Sequence, residues 1–268
     1  MSPPEERYVI RGGKEGYDRL LVLARDRWPD TLALFQRAGL APGMRCLDLG
    51  CGGGEVTLQM AKLVAPGGRA RGVDMDAVKL GLARQAAIER QVDNVEFTQT
   101  NVDDWNESNA YDAVYSRLLL QHVREPVELL RRMWAAVRPG GLLMVEDADF
   151  EGCCCEPANE AFDFYVRSYS EVLRRNAGDP VLGRKLYRHF LAAGIPHPKV
   201  TAVQPVRIEQ EAKSLPWLSL QATQEAILSA GLAKRGEFDA ALESLAKFCA
   251  DPATLVSGPR MFQVWSRR

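Results

Sequence analysis

The segment richest in chemical possibility is Asp48-Leu49-Gly50-Cys51-Gly52-Gly53-Gly54, an acidic residue followed by glycines, set between an apolar strand-like stretch and a helix-like one. Glycine reaches positive φ without strain and presents no Cβ to an approaching ligand, so such a loop can wrap a small molecule with its backbone. The spacing narrows which molecule. A dinucleotide-binding turn places glycines first, third and sixth, and the sixth position here is Glu55. A carboxylate there occupies the helix N-terminus, where a pyrophosphate would otherwise bind. No Gly-Lys-Ser/Thr follows, so a phosphate-cradling loop does not fit either. The loop suits a ligand without phosphates, and a nicotinamide oxidoreductase is disfavoured.

The elements that must hold this loop alternate along the chain. Arg45 to Gly50 reads as a short buried strand, and Glu55 to Ala65 as a helix with Val56, Met60, Leu63 and Val64 at helical spacing. A second strand runs through Gly72-Val73-Asp74, followed by a helix over Ala77 to Arg90. Asn94 to Phe97 and Tyr111 to Ser116 read as a third and a fourth strand. Pro126 to Val137 is a helix stopped by a Pro139-Gly140-Gly141 turn, and Leu142 to Val145 is a fifth strand. Short apolar strands alternating with helices predict a parallel sheet covered on both faces, and right-handed crossovers bring every carboxyl end to one edge, where ligands bind.

Other segments lie outside the alternation. Tyr17 to Ala38 suggests two helices interrupted at Pro29, and residues 151–180 hold a helix whose Phe162, Tyr165, Tyr169 and Val172 share one face. A covering helix over Gly183 to Ala193, a strand near Lys199 to Ile208, helix over Trp217 to Ala250 and a strand at Met261 to Trp265 complete the expectation. The chain is accordingly divided into a helical lid over 1–39, an α/β core over 40–150, a helical cap over 151–180, and a remainder over 181–268 with a further cap at about 215–250.

Composition excludes several functions. The 268 residues carry 34 Lys+Arg against 35 Asp+Glu, a formal charge of −1 that provides no field to attract nucleic acid or an anionic membrane. No apolar run is long enough to span a bilayer, and the opening MSPPEERYVI lacks a signal-peptide core. Six cysteines show no CxxC or histidine partner; even Cys153-Cys154-Cys155 cannot easily aim three sulfurs at one ion, so reduced thiols, no metal and a cytoplasmic setting are expected.

The acidic-x-Gly-x-Gly-x-Gly order of Asp48 to Gly54 resembles the first motif of class I S-adenosylmethionine methyltransferases, and the resemblance extends over about Leu40 to Asp149. Tyr111-Asp112-Ala113-Val114-Tyr115-Ser116-Arg117, then His122, and Arg138-Pro139-Gly140-Gly141 are similar to later family motifs, in the family's order. Gly178-Asp179-Pro180, Gly183-Arg184 and Ala193-Gly194 look like the bacterial small-molecule members of ubiquinone/menaquinone-biosynthesis type. The resemblance implies a Rossmann-like, doubly wound, mostly parallel seven-stranded sheet with helical cap insertions. It further implies S-adenosyl-L-methionine as cofactor, S-adenosyl-L-homocysteine as product, and a small-molecule acceptor methylated at O, N or C by a monomer or homodimer.

Residue by residue, Asp48 and the backbone of Gly50 and Gly52 would hold the methionine end, Asp74 both ribose hydroxyls, and Met75 the adenine face. Where similar enzymes carry Gly-Asp-Ala after the third strand, this chain has Thr100-Asn101-Val102; Asn101 or the nearby Asp103 would take the adenine amino group beside Val102. Ser116 and Arg117 of the fourth-strand motif join the cofactor set, and Tyr8 and Arg11 resemble a lid segment folding over it. A sulfonium donor is already activated, so alignment and water exclusion dominate, with a general base helpful for a hydroxyl or acidic carbon. Candidates are His122 and Asp147; a structural His122 is the competing reading. Glu146 and Asp149 would orient an acceptor, and Phe162, Tyr165 and Tyr169 would line an apolar pocket or simply pack the core. An RNA or protein methyltransferase, or a cofactor-binding regulatory or scaffold protein without turnover, are the alternatives.

Overall fold

A computed structural model describes residues 13–268. In chain order, α1 (Gly13–Ala38) precedes β1 (Arg45–Leu49), α2 (Glu55–Val64), β2 (Arg69–Asp74), α3 (Ala77–Glu89), β3 (Val95–Gln99), β4 (Tyr111–Arg117), α4 (Pro126–Ala136) and β5 (Val137–Asp149). Then come β6 (Cys154–Glu156), α5 (Glu160–Arg175), α6 (Leu182–Ala192), β7 (Lys199–Val203), β8 (Val206–Arg207), α7 (Gln210–Lys213), α8 (Leu215–Ala222), α9 (Gln224–Ser229), α10 (Arg235–Ala250), β9 (Leu255–Ser257) and β10 (Arg260–Arg267).

Seven strands form one sheet in the order β3-β2-β1-β4-β5-β10-β7. The first five are mutually parallel, and β10 runs antiparallel to both β5 and β7. Alternation along the central strands explains the two covered faces. Leu47, Val114, Leu143 and Val145 pack against Leu129, Leu130 and Met133 of α4 and Leu182, Leu186 and Phe190 of α6. Their neighbours Cys46, Ala113, Tyr115, Leu142 and Met144 face Leu34 and Phe35 of α1 and Met60, Ala61 and Val64 of α2. Asp76 starts α3, its Oδ1 accepting from the amides of Val78 and Lys79.

The helices after β5 build a second cluster of their own. Phe162, Phe164 and Leu173 of α5 meet Leu220 of α8, Ile227 of α9, and Phe238 and Leu245 of α10. A three-stranded sheet, β6-β9-β8, flanks it.

Four local expectations change. Residues 13–38 form one helix through Pro29, which removes a single backbone bond. Packing of Trp28 on Phe35 and of Phe35 on Tyr115 holds the helix course on either side. The Pro-Gly-Gly turn lies inside β5: pairing steps from Tyr111↔Val137 to Ala113↔Leu142, so residues 138–141 bulge outward with Gly140 at φ +83°. The strand foreseen over Lys199 to Ile208 breaks before Pro205, which has no N–H to donate, and its second half joins the small sheet. The helix foreseen over Trp217 to Ala250 is three helices, broken at Thr223 and around Gly231.

Candidate active site

The carboxyl ends of β1, β2 and β4 open into a cavity of about 510 Å³, within the range of small-molecule sites. The glycine loop makes its floor. The amides of Gly50 and Cys51 donate to the carbonyl of Val73, at 2.8 and 3.0 Å, which turns the chain sharply at the end of β1. Gly50 and Gly52 sit at φ +74° and +54°, and a Cβ on Gly50 would lie 2.9 Å from Leu119 Cδ1. Only glycine satisfies both the conformation and the space there.

Asp74 is fixed by this loop. Its Oδ2 accepts from the Gly52 amide at 2.8 Å and its Oδ1 from the Asp76 amide at 3.0 Å, while the carboxylate still borders the cavity. A carboxylate has about four lone-pair sites, so capacity remains for two hydroxyl donors. Asp48 also lines the cavity and is almost wholly buried. Burial raises its pKa to about 6, against the hydrogen bond that Thr57 Oγ1 donates at 2.7 Å. Met75 stands at the rim, 44% exposed, and Arg117 reaches the wall while donating from Nη1 to Thr31 Oγ1 at 3.2 Å. These features fit S-adenosylmethionine: a Cβ-free floor, a carboxylate with spare acceptors, a buried acid for an ammonium, and an apolar rim.

The adenine edge is arranged differently from the expectation. Val102 borders the cavity, but Asn101 and Asp103 do not. Asn101 Oδ1 accepts from the Asp103 amide at 3.0 Å, closing a tight turn, and Asp103 points to solvent. Ser116 is buried, its hydroxyl without a hydrogen-bond partner among the described residues, and lies off the wall. Tyr8 and Arg11 lie outside the described residues.

His122 lines the cavity. Burial first, then the positive charges of Arg19 and Lys79, push its pKa down to about 4, so the ring is neutral at neutral pH. The three carboxylates that end β5 are turned away from the cavity. Glu146 accepts from Thr31 Oγ1 at 2.7 Å, Tyr115 Oη at 2.6 Å and Gln263 Nε2 at 2.7 Å, which ties α1, β4 and β10 to β5. Asp147 is fully buried, its Oδ2 accepting from the Gln121 amide and its Oδ1 from the Ala148 amide, with burial lifting its pKa to about 7. Asp149 receives a two-pronged contact from Arg184 at 2.6 and 2.8 Å. None of the three borders either cavity.

A second cavity, about 60 Å³, abuts the first; Arg19, Leu23, Leu118, Gln121 and Tyr169 line both. Tyr169 thus faces the two spaces, Tyr165 faces the smaller, and Phe162 faces neither, packing inside the cap cluster. Sequence reasoning missed Arg19 and Gln121. Gln121 follows the fourth-strand motif, and its Oε1 is buried without a partner among the described residues. Arg19 belongs to a stripe on α1 at helical spacing, with Leu23, Asp26 and Arg27. Among the described residues no three His, Cys, Asp or Glu side chains converge to hold a metal, and no helix is long and apolar enough to cross a membrane.

Residues 40–191 match a family described as the methyltransferase domain. The chain is 32% identical over 196 residues to an uncharacterized 37.1 kDa protein in transposon Tn4556 of Streptomyces fradiae, covering 71% of this chain and 54% of that one. Over 108 residues it is 34% identical to the ubiquinone biosynthesis O-methyltransferase of Acinetobacter baylyi, covering 40% of this chain and 44% of that one. The chain therefore spans about half the length of these relatives. A solved protein of Bacillus halodurans C-125 superposes with a TM-score of 0.59 at 18% identity, over 89% of this chain and 98% of that one, a likeness of fold.

Proposed function

The chain belongs to the methyltransferase-domain family, and from that premise we propose that it transfers a methyl group from S-adenosylmethionine to a small molecule. The observation that carries this reading is Asp74, pinned by two backbone amides at the edge of a cavity whose floor is the glycine loop. When bound, the donor supplies an activated sulfonium methyl open to in-line displacement. Asp74 would accept hydrogen bonds from the two ribose hydroxyls, Asp48 would hold the ammonium of the methionine end, and Met75 would contact the adenine. The adenine edge is left to the backbone at Val102, because Asn101 has turned its carbonyl to Asp103.

The chain's own part in the reaction is alignment and dryness. Leu118, Leu119 and Tyr169 wall the cavity with apolar surface, and neutral His122 and Gln121 offer it polar atoms. A His of so low a pKa is a weak base, so His122 orients an acceptor rather than ionising it. Residues 151–180 and about 215–250 act as the cap, and six unpaired thiols are in keeping with a cytoplasmic setting. Balanced charge favours a small metabolite over RNA. Calorimetry with S-adenosylhomocysteine tests the reading: one-to-one binding is expected, followed by label transfer from methyl-labelled donor to a small acceptor. An absence of any binding heat, or retention on RNA that salt reverses, would overturn it.

A further inference from the structure

The smaller cavity has a charged wall that the donor does not need. Arg27, midway along α1, lines it and is 5% exposed. Its Nε and Nη1 are buried and find no hydrogen-bond acceptor among the described residues. Among the described residues its one ion pair is with Asp26, whose Oδ2 stands 3.3 Å from Nε. Asp26 is shared: Arg207 also pairs with its Oδ1 and donates from Nη2 to its carbonyl at 3.2 Å. Arg19, a third guanidinium on the same wall, gives its Nε to the neutral hydroxyl of Ser219 at 3.0 Å. Among the described residues, three guanidiniums therefore line the space against one carboxylate. Asp30 acts on Arg27 through charge alone and does not border the cavity.

Such an arrangement is costly as it stands. A buried cation with unsatisfied N–H groups carries a desolvation penalty that one shared, poorly aligned carboxylate does not offset. Burial lowers the Arg27 pKa from its ordinary value despite Asp26. Space is nevertheless kept for the group: a Cβ on Gly258 would lie 3.0 Å from Arg27 Nη2. Apart from Gln121, the remaining lining is apolar and aromatic. Phe150 stacks on Tyr169 with centroids 4.5 Å apart and planes 20° from parallel, beside Tyr165, Val256 and Met261.

We propose that Arg27 binds a carboxylate on the methyl acceptor, whose apolar body lies against Tyr169 and Phe150 with its reacting atom toward the larger cavity. A planar, permanently charged guanidinium with unsatisfied N–H groups matches a carboxylate better than it matches a neutral oxygen. This names the acceptor class and rests on the proposed methyl transfer only in taking the larger cavity as the donor's.

The test uses the full chain, saturated with S-adenosylhomocysteine, and two probes of equal size, benzoate and benzamide, titrated by calorimetry. The unaltered protein is expected to bind benzoate about tenfold tighter than benzamide. Arg27→Met removes that preference and leaves S-adenosylhomocysteine affinity within about twofold; Arg27→Lys keeps part of it. Equal affinity for the two probes, binding of neither, or a preference that survives Arg27→Met overturns the assignment. Repeating the acid–amide comparison without S-adenosylhomocysteine separates this proposal from the donor's. If the donor product fails to bind but the acid preference and its loss in Arg27→Met remain, the carboxylate site stands and the methyl-transfer reading falls.

Discussion

Replacing Thr57 by Val moves the pH dependence of cofactor binding in a direction the structure dictates. Thr57 is fully buried, and its hydroxyl is the one side-chain donor to Asp48 among the described residues, at 2.7 Å. That bond favours the ionised carboxylate, while burial favours the protonated one and wins, leaving the pKa at about 6. A hydrogen bond to a charged group contributes about 1.5–3 kcal/mol, and about 1.4 kcal/mol corresponds to one pH unit. Loss of the donor therefore raises the Asp48 value by about one to two units. The ammonium of the donor molecule requires Asp48 ionised, so affinity falls as pH drops through that value. Calorimetric titration of S-adenosylhomocysteine between about pH 5 and about pH 8.5 reads the midpoint directly. The unaltered protein gives a midpoint near 6; Thr57→Val gives one near 7 to 8, with affinity at neutral pH reduced about two- to tenfold and restored at the alkaline end. Linkage adds a second readout of the same sign: a carboxyl raised on folding contributes stability at low pH that is lost as pH rises from about 4 through the folded value, and the variant extends that loss to higher pH. A midpoint that stays in place, or moves to lower pH, refutes the reasoning.

Two further perturbations have opposite targets. Gly50→Ala forces a Cβ into φ +74° and to within 2.9 Å of Leu119 Cδ1; a left-handed residue costs about 1–2 kcal/mol before the clash, so S-adenosylhomocysteine affinity drops about tenfold or more, and an unchanged Kd would contradict the close floor. His122 has a folded pKa of about 4 against an ordinary 6.5. A depressed group contributes stability that is present above 6.5 and lost as pH falls toward 4. Urea denaturation of His122→Asn is expected to show a flatter stability profile across that interval than the unaltered protein, and identical slopes would contradict a buried neutral ring.

Much of this was legible in sequence because local signals and tertiary demands agreed. The glycine run, Asp74 and the apolar strands are set by backbone conformation and burial, which leave marks in residue type, and all strands of the parallel half stand within a few residues of where their patterns place them. The rest depended on orientation. Glu146, Asp147 and Asp149 read as a triad at a strand end, but a fully buried strand sends neighbours to opposite faces. Each was claimed by a partner distant in sequence: Gln263 for Glu146, the Gln121 amide for Asp147, Arg184 for Asp149. Asn101 was likewise captured by a local turn. Pro29 and the Pro-Gly-Gly bulge are cases where packing overrode a breaker. Arg19 and Arg27 hid for a converse reason: two arginines on an amphipathic helix look like a solvated face until the cap helices close over them.

The central claim is that the carboxylate closing β2 anchors the sugar of a phosphate-free nucleoside. The most direct measurement is the Kd of S-adenosylhomocysteine for Asp74→Asn beside the unaltered chain, at neutral pH, with folding of both checked by circular dichroism. Two charge-assisted bonds exchanged for weaker neutral ones predict a loss of at least about thirtyfold. A Kd within about twofold of the unaltered value would place the sugar elsewhere and contradict the account.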